Sequence, residues 1–190
     1  MKRKIISVCY ILIVISLIIV VSLKIKNNNV IKQNEDNIKV YDNNDKIVKN
    51  KLIGNTKEKY VGILEIKKIK LKRGFYNIDS NNNNVDKNIM VINSSDMPDV
   101  NLGNLILASH SGNSNISYFK NLDKLEIGDI ASVYYLTKKY DYKFVNYYEV
   151  EKNGFVQIIK NNNVNCLTLI TCKKNTNKQL VFIFELEKVI

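Results

Sequence analysis

The sequence predicts an all-β domain, a barrel or a sandwich, carried behind one membrane-spanning helix. Three observations predict it. Residues 5–23, IISVCYILIVISLIIVVSL, form an uncharged apolar run; at ~1.5 Å per helical residue it spans roughly 28 Å, about the hydrocarbon core of a bilayer. From Tyr60 to Ile190, short runs rich in Val, Ile, Tyr and Phe alternate with clusters of Gly, Asn and Asp, which is the pattern of strands and turns. One Pro and seven Gly in 190 residues exclude collagen-like and Pro-rich architectures, and helical bundles or parallel α/β folds fit the strand-dominated region poorly.

The elements follow in order. Residues 1–4, Met-Lys-Arg-Lys, precede the apolar run as a basic head. Cleavage of a signal peptide requires small residues after a shorter apolar core, yet the first Ala of the chain is Ala108 and the run ends Ser22-Leu23-Lys24. Residues 5–23 therefore read as an uncleaved anchor, and Cys9 within them as a packing residue. Three basic residues precede the run and two, Lys24 and Lys26, follow closely. That bias places the N-terminus in the cytoplasm and the rest of the chain outside.

Residues 24–59 read as a flexible tether. Eight of the 24 residues from Asn27 to Asn50 are Asn, and such a stretch buries too little apolar surface to offset the entropy of ordering it. The folded domain is expected over residues 60–190. Its strands are expected at 61–66, 89–92, 104–109, 130–136, 140–150, 166–171 and 180–186, with one helical patch where Ile116, Phe119, Leu122 and Leu125 recur at three-residue steps.

Charge narrows the function classes. The net charge is +11, but Lys2, Arg3, Lys4, Lys24 and Lys26 flank the apolar run and supply five of these charges. Only two Arg occur, Arg3 and Arg73, whereas sequence-reading nucleic-acid binders depend on Arg forks. Nucleic-acid binding is disfavoured. A basic surface does suit the anionic outside of a bacterial envelope.

Candidate chemistry is sparse. The single histidine, His110, follows the apolar run NLILAS and precedes Ser111-Gly112, so it sits where a strand ends and a loop begins. Taken alone, it reads as an ordinary loop histidine. One His excludes His/His zinc sites, and two Cys on one strand are not a ligand pair. Phosphate-loop and Gly-x-Ser-x-Gly motifs are absent, and the acidic residues form no defensible pair. Ser109 and Ser111 adjoin the only base in sequence, which is poor geometry for a serine nucleophile. Cys166 and Cys172 lie six residues apart in one apolar segment, so a disulfide between them is out of reach. Cys166 reads as a small core hydrophobe. Cys172 ends the segment beside Lys-Lys-Asn-Thr-Asn-Lys, where nearby positive charge favours a reactive thiol.

These residues carry a resemblance. LTLITC at Leu167–Cys172 resembles the signature strand of the sortases, T-L-x-T-C, with Thr168, Leu169, Thr171 and Cys172 in register. LILASHSG at Leu105–Gly112 resembles the family's A-G-H motif, with Ser109 in place of Gly. His110 precedes Cys172 by 62 residues, an order and distance typical of the family. YFKNLDKLEIGD at Tyr118–Asp129 resembles the stretch in which an aromatic-Leu helix leads to a Gly-Asp turn. GILEIKKIKL at Gly62–Leu71 resembles the opening strand, with Lys67 or Lys68 where Pro is usual.

The resemblance implies an all-β, closed sortase-type barrel of about eight strands with one or two short helices. It also implies a membrane-anchored cysteine transpeptidase of Gram-positive bacteria, with Cys172 as nucleophile and His110 as acid and base. The carboxylates of the Ca²⁺ site found in some relatives have no residue-by-residue match in this sequence, so no cofactor or metal is expected. Its partners would be surface proteins bearing a C-terminal LPXTG-like sorting signal and an amino group of a peptidoglycan precursor. A lid with an Asp-Pro-aromatic motif and a second, C-terminal apolar segment mark many pilin-polymerising members. Both are missing from this sequence, so a housekeeping-like or specialised anchoring type is expected. The sequence departs from the family at the strand after the cysteine, where an Arg is usual. Here Gln179 takes that place, with Lys178 one residue earlier. The competing expectation is a sortase-like module with little or no turnover that binds sorting signals or cell wall.

Overall fold

The barrel begins at an antiparallel pair, β1 (Tyr60–Ile66) with β2 (Leu71–Tyr76). A 3-10 turn at Lys67–Ile69 joins them, and Lys70 closes it in the left-handed region at φ 55°. Then come β3 (Met90–Val91), β4 (Asn104–Ala108), β5 (Ile130–Tyr135), β6 (Lys138–Glu151), β7 (Cys166–Cys172) and β8 (Lys178–Val189). This is a computed structural model, and it describes residues 2–47 and 59–190. The strands form one sheet in the order β2-β1-β5-β6-β8-β7-β4-β3. A parallel bridge between Phe75 and Ile89 links its two ends, so the barrel is nearly closed. Closure leaves little open edge for another chain to pair with.

Alternation along the strands builds two apolar layers. Leu64, Phe75, Leu105, Leu107, Leu167, Leu169, Phe182 and Phe184 point into the barrel and are fully or almost fully buried. Each such side chain contributes roughly 1.5–3 kcal/mol of transfer free energy. On the opposite face of the same strands, Ile106, Ile170, Val181 and Ile183 form a second cluster, covered by Val156 and Ile158 from the β6–β7 segment. Both faces of β7 are therefore covered along its length, and only Cys172 at its end is partly exposed. Near the start of the domain Gly74 is required by packing, since a Cβ there would lie 2.0 Å from the Tyr60 ring.

All seven strands expected from the sequence are present, and β2 is added to them. The helical patch holds a short 3-10 helix rather than an α-helix. Residues 114–125 form successive turns with one 3-10 turn at Leu122–Lys124. Three-residue steps match the 3-10 period rather than 3.6, and they bury Phe119 and Leu122 in the core.

The N-terminal segment also departs from expectation. A single helix, α1, runs from Lys2 to Ile47, so residues 24–47 are helical rather than an unstructured tether; residues 48–58 lie outside the described residues. The i,i+4 spacings Lys32–Asp36 and Glu35–Lys39 favour helix where composition alone suggested coil. Within α1, Cys9–Tyr41 is long and apolar enough to cross a membrane by length and composition. The chain divides into two compact units, Met1–Asp36 and Asn37–Ile190. In the second unit Tyr41 packs with Tyr60, Ile63 and Tyr76, and its hydroxyl donates to the carbonyl of Tyr134 at 3.2 Å.

Candidate active site

β4 and β7 pair in parallel, with Asn104 opposite Cys166 and Ala108 opposite Ile170. The offset is constant along the ladder, so the position two residues beyond Ala108 is level with Cys172. That position is His110. Beyond the ladder, the loop is stapled to the end of β7. Ser109 N–H donates to the Ile170 carbonyl at 3.2 Å, and the Thr171 hydroxyl donates to the Ser109 carbonyl at 2.8 Å. The Ser111 hydroxyl donates to the Cys172 carbonyl. Ser109 and Ser111 are thus fasteners that hold the backbone on either side of His110 against the end of β7, a role that sequence gave no sign of.

Across the next ladder, β7 pairs antiparallel with β8, and Cys172 stands directly opposite Gln179. Directly opposed side chains in such a pair share a face, with Cβ atoms about 5 Å apart. His110, Cys172 and Gln179 therefore lie at one level on three adjacent strands or their extensions, at one rim of the barrel. Lys178 does not join them. It faces the other side of β8, and its Nζ lies 3.4 Å from Glu149 Oε2. Lys173 Nζ donates to the same carboxylate. The Lys173 hydrogen bond holds the Glu149 carboxyl below its usual range, with Lys178 adding to the effect.

A cavity of about 250 Å³ opens beside Cys172, lined by the apolar Phe119 and Leu180 and by the charged Lys120, Asp123, Lys173 and Lys174. Cys166 differs in every respect. It lies at the far end of β7 and is 1% exposed. Burial pushes its thiol up from the ordinary value, against a smaller opposing pull from Lys160.

One residue of the site was missed from sequence. His110 Nε2 lies 2.9 Å from Oδ1 of Asp86, in the segment between β2 and β3. No spacing signal pointed to it, because Asp86 sits in the run SNNNNVDKN, which reads only as loop.

Fold and site together define a nearly closed eight-stranded barrel with a thiol and an imidazole level with each other at one rim. A family model, the sortase domain, matches residues 64–187. The chain belongs to the sortase family.

Solved structures agree on the fold. Listeria monocytogenes sortase A is 23% identical with TM-score 0.58, and the match covers 68% of this chain and 88% of that one. Streptococcus agalactiae sortase C1 is 25% identical with TM-score 0.60, covering 72% and 71%. A Clostridium perfringens sortase D5 transpeptidase is 19% identical with TM-score 0.60, covering 83% and 97%. No match was found among curated proteins.

Proposed function

We infer that this chain is a membrane-anchored cysteine transpeptidase, which cleaves an LPXTG-like sorting signal and transfers the protein to an amino group of the cell wall. The observation that supports the reading best is the shared level of His110 and Cys172 across the parallel β4–β7 ladder. Cys172 attacks the carbonyl after Thr in the signal, forming a C–S bond as the peptide C–N bond breaks. His110, as imidazolium, gives its proton to the departing amine. The incoming amine then attacks the thioester, loses a proton to His110 and releases the Cys172 thiolate. The Gln179 side chain, opposite Cys172, supplies N–H groups toward the oxyanion.

The testing experiment incubates the full chain in detergent micelles with a panel of sorting-signal peptides and an amine acceptor. Mass spectrometry is expected to find an acyl adduct on the peptide containing Cys172, then an amide-linked product once acceptor is added. No adduct with any signal overturns the reading. The second reading, a sortase-like binding module without turnover, draws its support from Gln179 standing where the family places an Arg.

The single apolar helix supports a topology with residues 1–4 in the cytoplasm and the barrel outside, where both substrates are. The protein is expected in the membrane fraction, and protease added to protoplasts is expected to digest the domain from Tyr60 onward. Recovery of a shortened soluble form from the medium contradicts this. An anchoring rather than pilin-polymerising role is favoured by the one proline, Pro98, which stands in Met97-Pro98-Asp99 and forms no Asp-Pro-aromatic motif.

A further inference from the structure

His110 Nε2 is 2.9 Å from Asp86 Oδ1, although the Asp86 side chain is 75% exposed and that of His110 is 37% exposed. Charge attraction between groups this exposed is weak, since water screens it. What distinguishes the contact is how rigidly both partners are carried. Asp86 lies in a single tight turn, in which the N–H groups of Lys87 and Asn88 both donate to the Asn84 carbonyl, at 2.9 and 2.8 Å. Its own N–H donates to Asn84 Oδ1 at 2.8 Å.

That turn is bolted down at Asn88, which is 1% exposed. The Asn88 amide donates to the Gly74 carbonyl at 2.8 Å and accepts from Arg73 Nε at 2.6 Å. Arg73 in turn lies against the Tyr118 ring, 4.4 Å from its centroid. The residue after Tyr118 returns the chain of contacts to the site, because Phe119 N–H donates to the His110 carbonyl at 3.1 Å. The segments bearing Asp86 and His110 are thus fastened to one scaffold, the buried Asn88 and Arg73 and the partly buried Tyr118.

We propose that Asp86 is the positioning residue of His110. Its carboxylate accepts the Nε2–H hydrogen bond, fixes the ring, and leaves Nδ1 as the nitrogen that exchanges the catalytic proton. The imidazolium has both nitrogens as donors. When the thioester forms, Nδ1–H passes its proton to the departing amine, and the ring is left neutral with its remaining hydrogen on Nε2, held by Asp86. That is the tautomer required for the second half-reaction, in which Nδ1 takes the proton from the attacking amine. A carboxylate that holds one ring nitrogen while the other moves the proton is a known arrangement in hydrolases. Here it is reached across the β2–β3 segment.

The proposal rests on the transpeptidase reading, and the experiment separates the two. Acylation of the full chain is timed with two donors sharing one sorting-signal acyl part. One carries the natural amide; the other carries a thioester whose leaving group departs without a proton. General-acid assistance matters only for the amide. Asp86→Ala is expected to slow amide acylation by about tenfold, a fraction of the 10²–10⁴ that a general acid contributes, and to leave the thioester donor within about twofold of wild type. Asp86→Glu is expected to restore most of the amide rate. Equal slowing on both donors shows a merely structural loss and overturns the proposal, as does an unchanged amide rate. Wild type that acylates from neither donor overturns the transpeptidase reading instead, and this proposal with it.

Discussion

The Cys172→Ala variant is expected to form no thioacyl adduct, a loss on the order of 10⁴-fold or more, as when a covalent nucleophile is removed. The Cys166→Ala variant is expected to acylate within about twofold of wild type. The two thiols share one strand, so the contrast isolates position from chemistry. Cys172 is half-buried at the rim, beside the cavity lined by Lys120, Asp123, Lys173 and Lys174. Cys166 is sealed at the far end, with its Sγ turned to the Asn161 carbonyl at 3.4 Å. Truncating it removes one sulfur from the core, which costs on the order of 1 kcal/mol of stability and leaves the rim untouched. Intact-mass analysis after peptide incubation checks both variants. Equal adduct in wild type and Cys172→Ala refutes the assignment.

The second large effect concerns Gln179. Removing one preorganised donor from an oxyanion site costs roughly 10²–10³ in kcat, so Gln179→Ala is expected to lower turnover by about a hundredfold. Gln179→Arg is expected to preserve or raise it, because a guanidinium brings charge and a planar fork to the same position. The register argues for this residue over its neighbour. Gln179 is the cross-strand partner of Cys172, whereas Lys178 is turned to Glu149, so Lys178→Ala is expected to change the rate by less than about threefold for a surface charge. Steady-state rates of the three variants with one signal peptide decide the matter. A dead Lys178→Ala with two neutral Gln179 variants places the donor on Lys178.

Much of the barrel was legible because its strands are written in β-branched and aromatic residues between Asn-rich turns. β2 was not. Its sequence, LKRGFY, breaks the apolar pattern with Lys72, Arg73 and Gly74, and Arg73 is buried only because Asn88 and Tyr118 receive its guanidinium. The course of residues 24–47 was misjudged for a related reason: composition counts asparagines, whereas helix continuation depends on what precedes the segment and on spaced charge pairs.

Within the site, His110 and Cys172 stood out because each ends an apolar strand, His110 being the only histidine and Cys172 the only cysteine followed at once by a basic, polar run. Asp86 was hidden because its meaning depends on a contact made 24 residues away in sequence. No local pattern encodes a contact between two loops that only the closed barrel brings together.

The place of β7 between β4 and β8 also sets when the site can exist during folding. Antiparallel neighbours such as β5 and β6 are joined by a short turn and can zip up locally, whereas the parallel β4–β7 ladder must close a long loop before any of its bonds form. Such distant pairings are slow steps. Thiol and imidazole are therefore brought level only after the last third of the chain has been delivered and β7 has found both partners. Until then the nascent protein carries Cys172 without the histidine proposed as its acid partner, so under the transpeptidase reading assembly of the barrel is itself the event that switches the chemistry on.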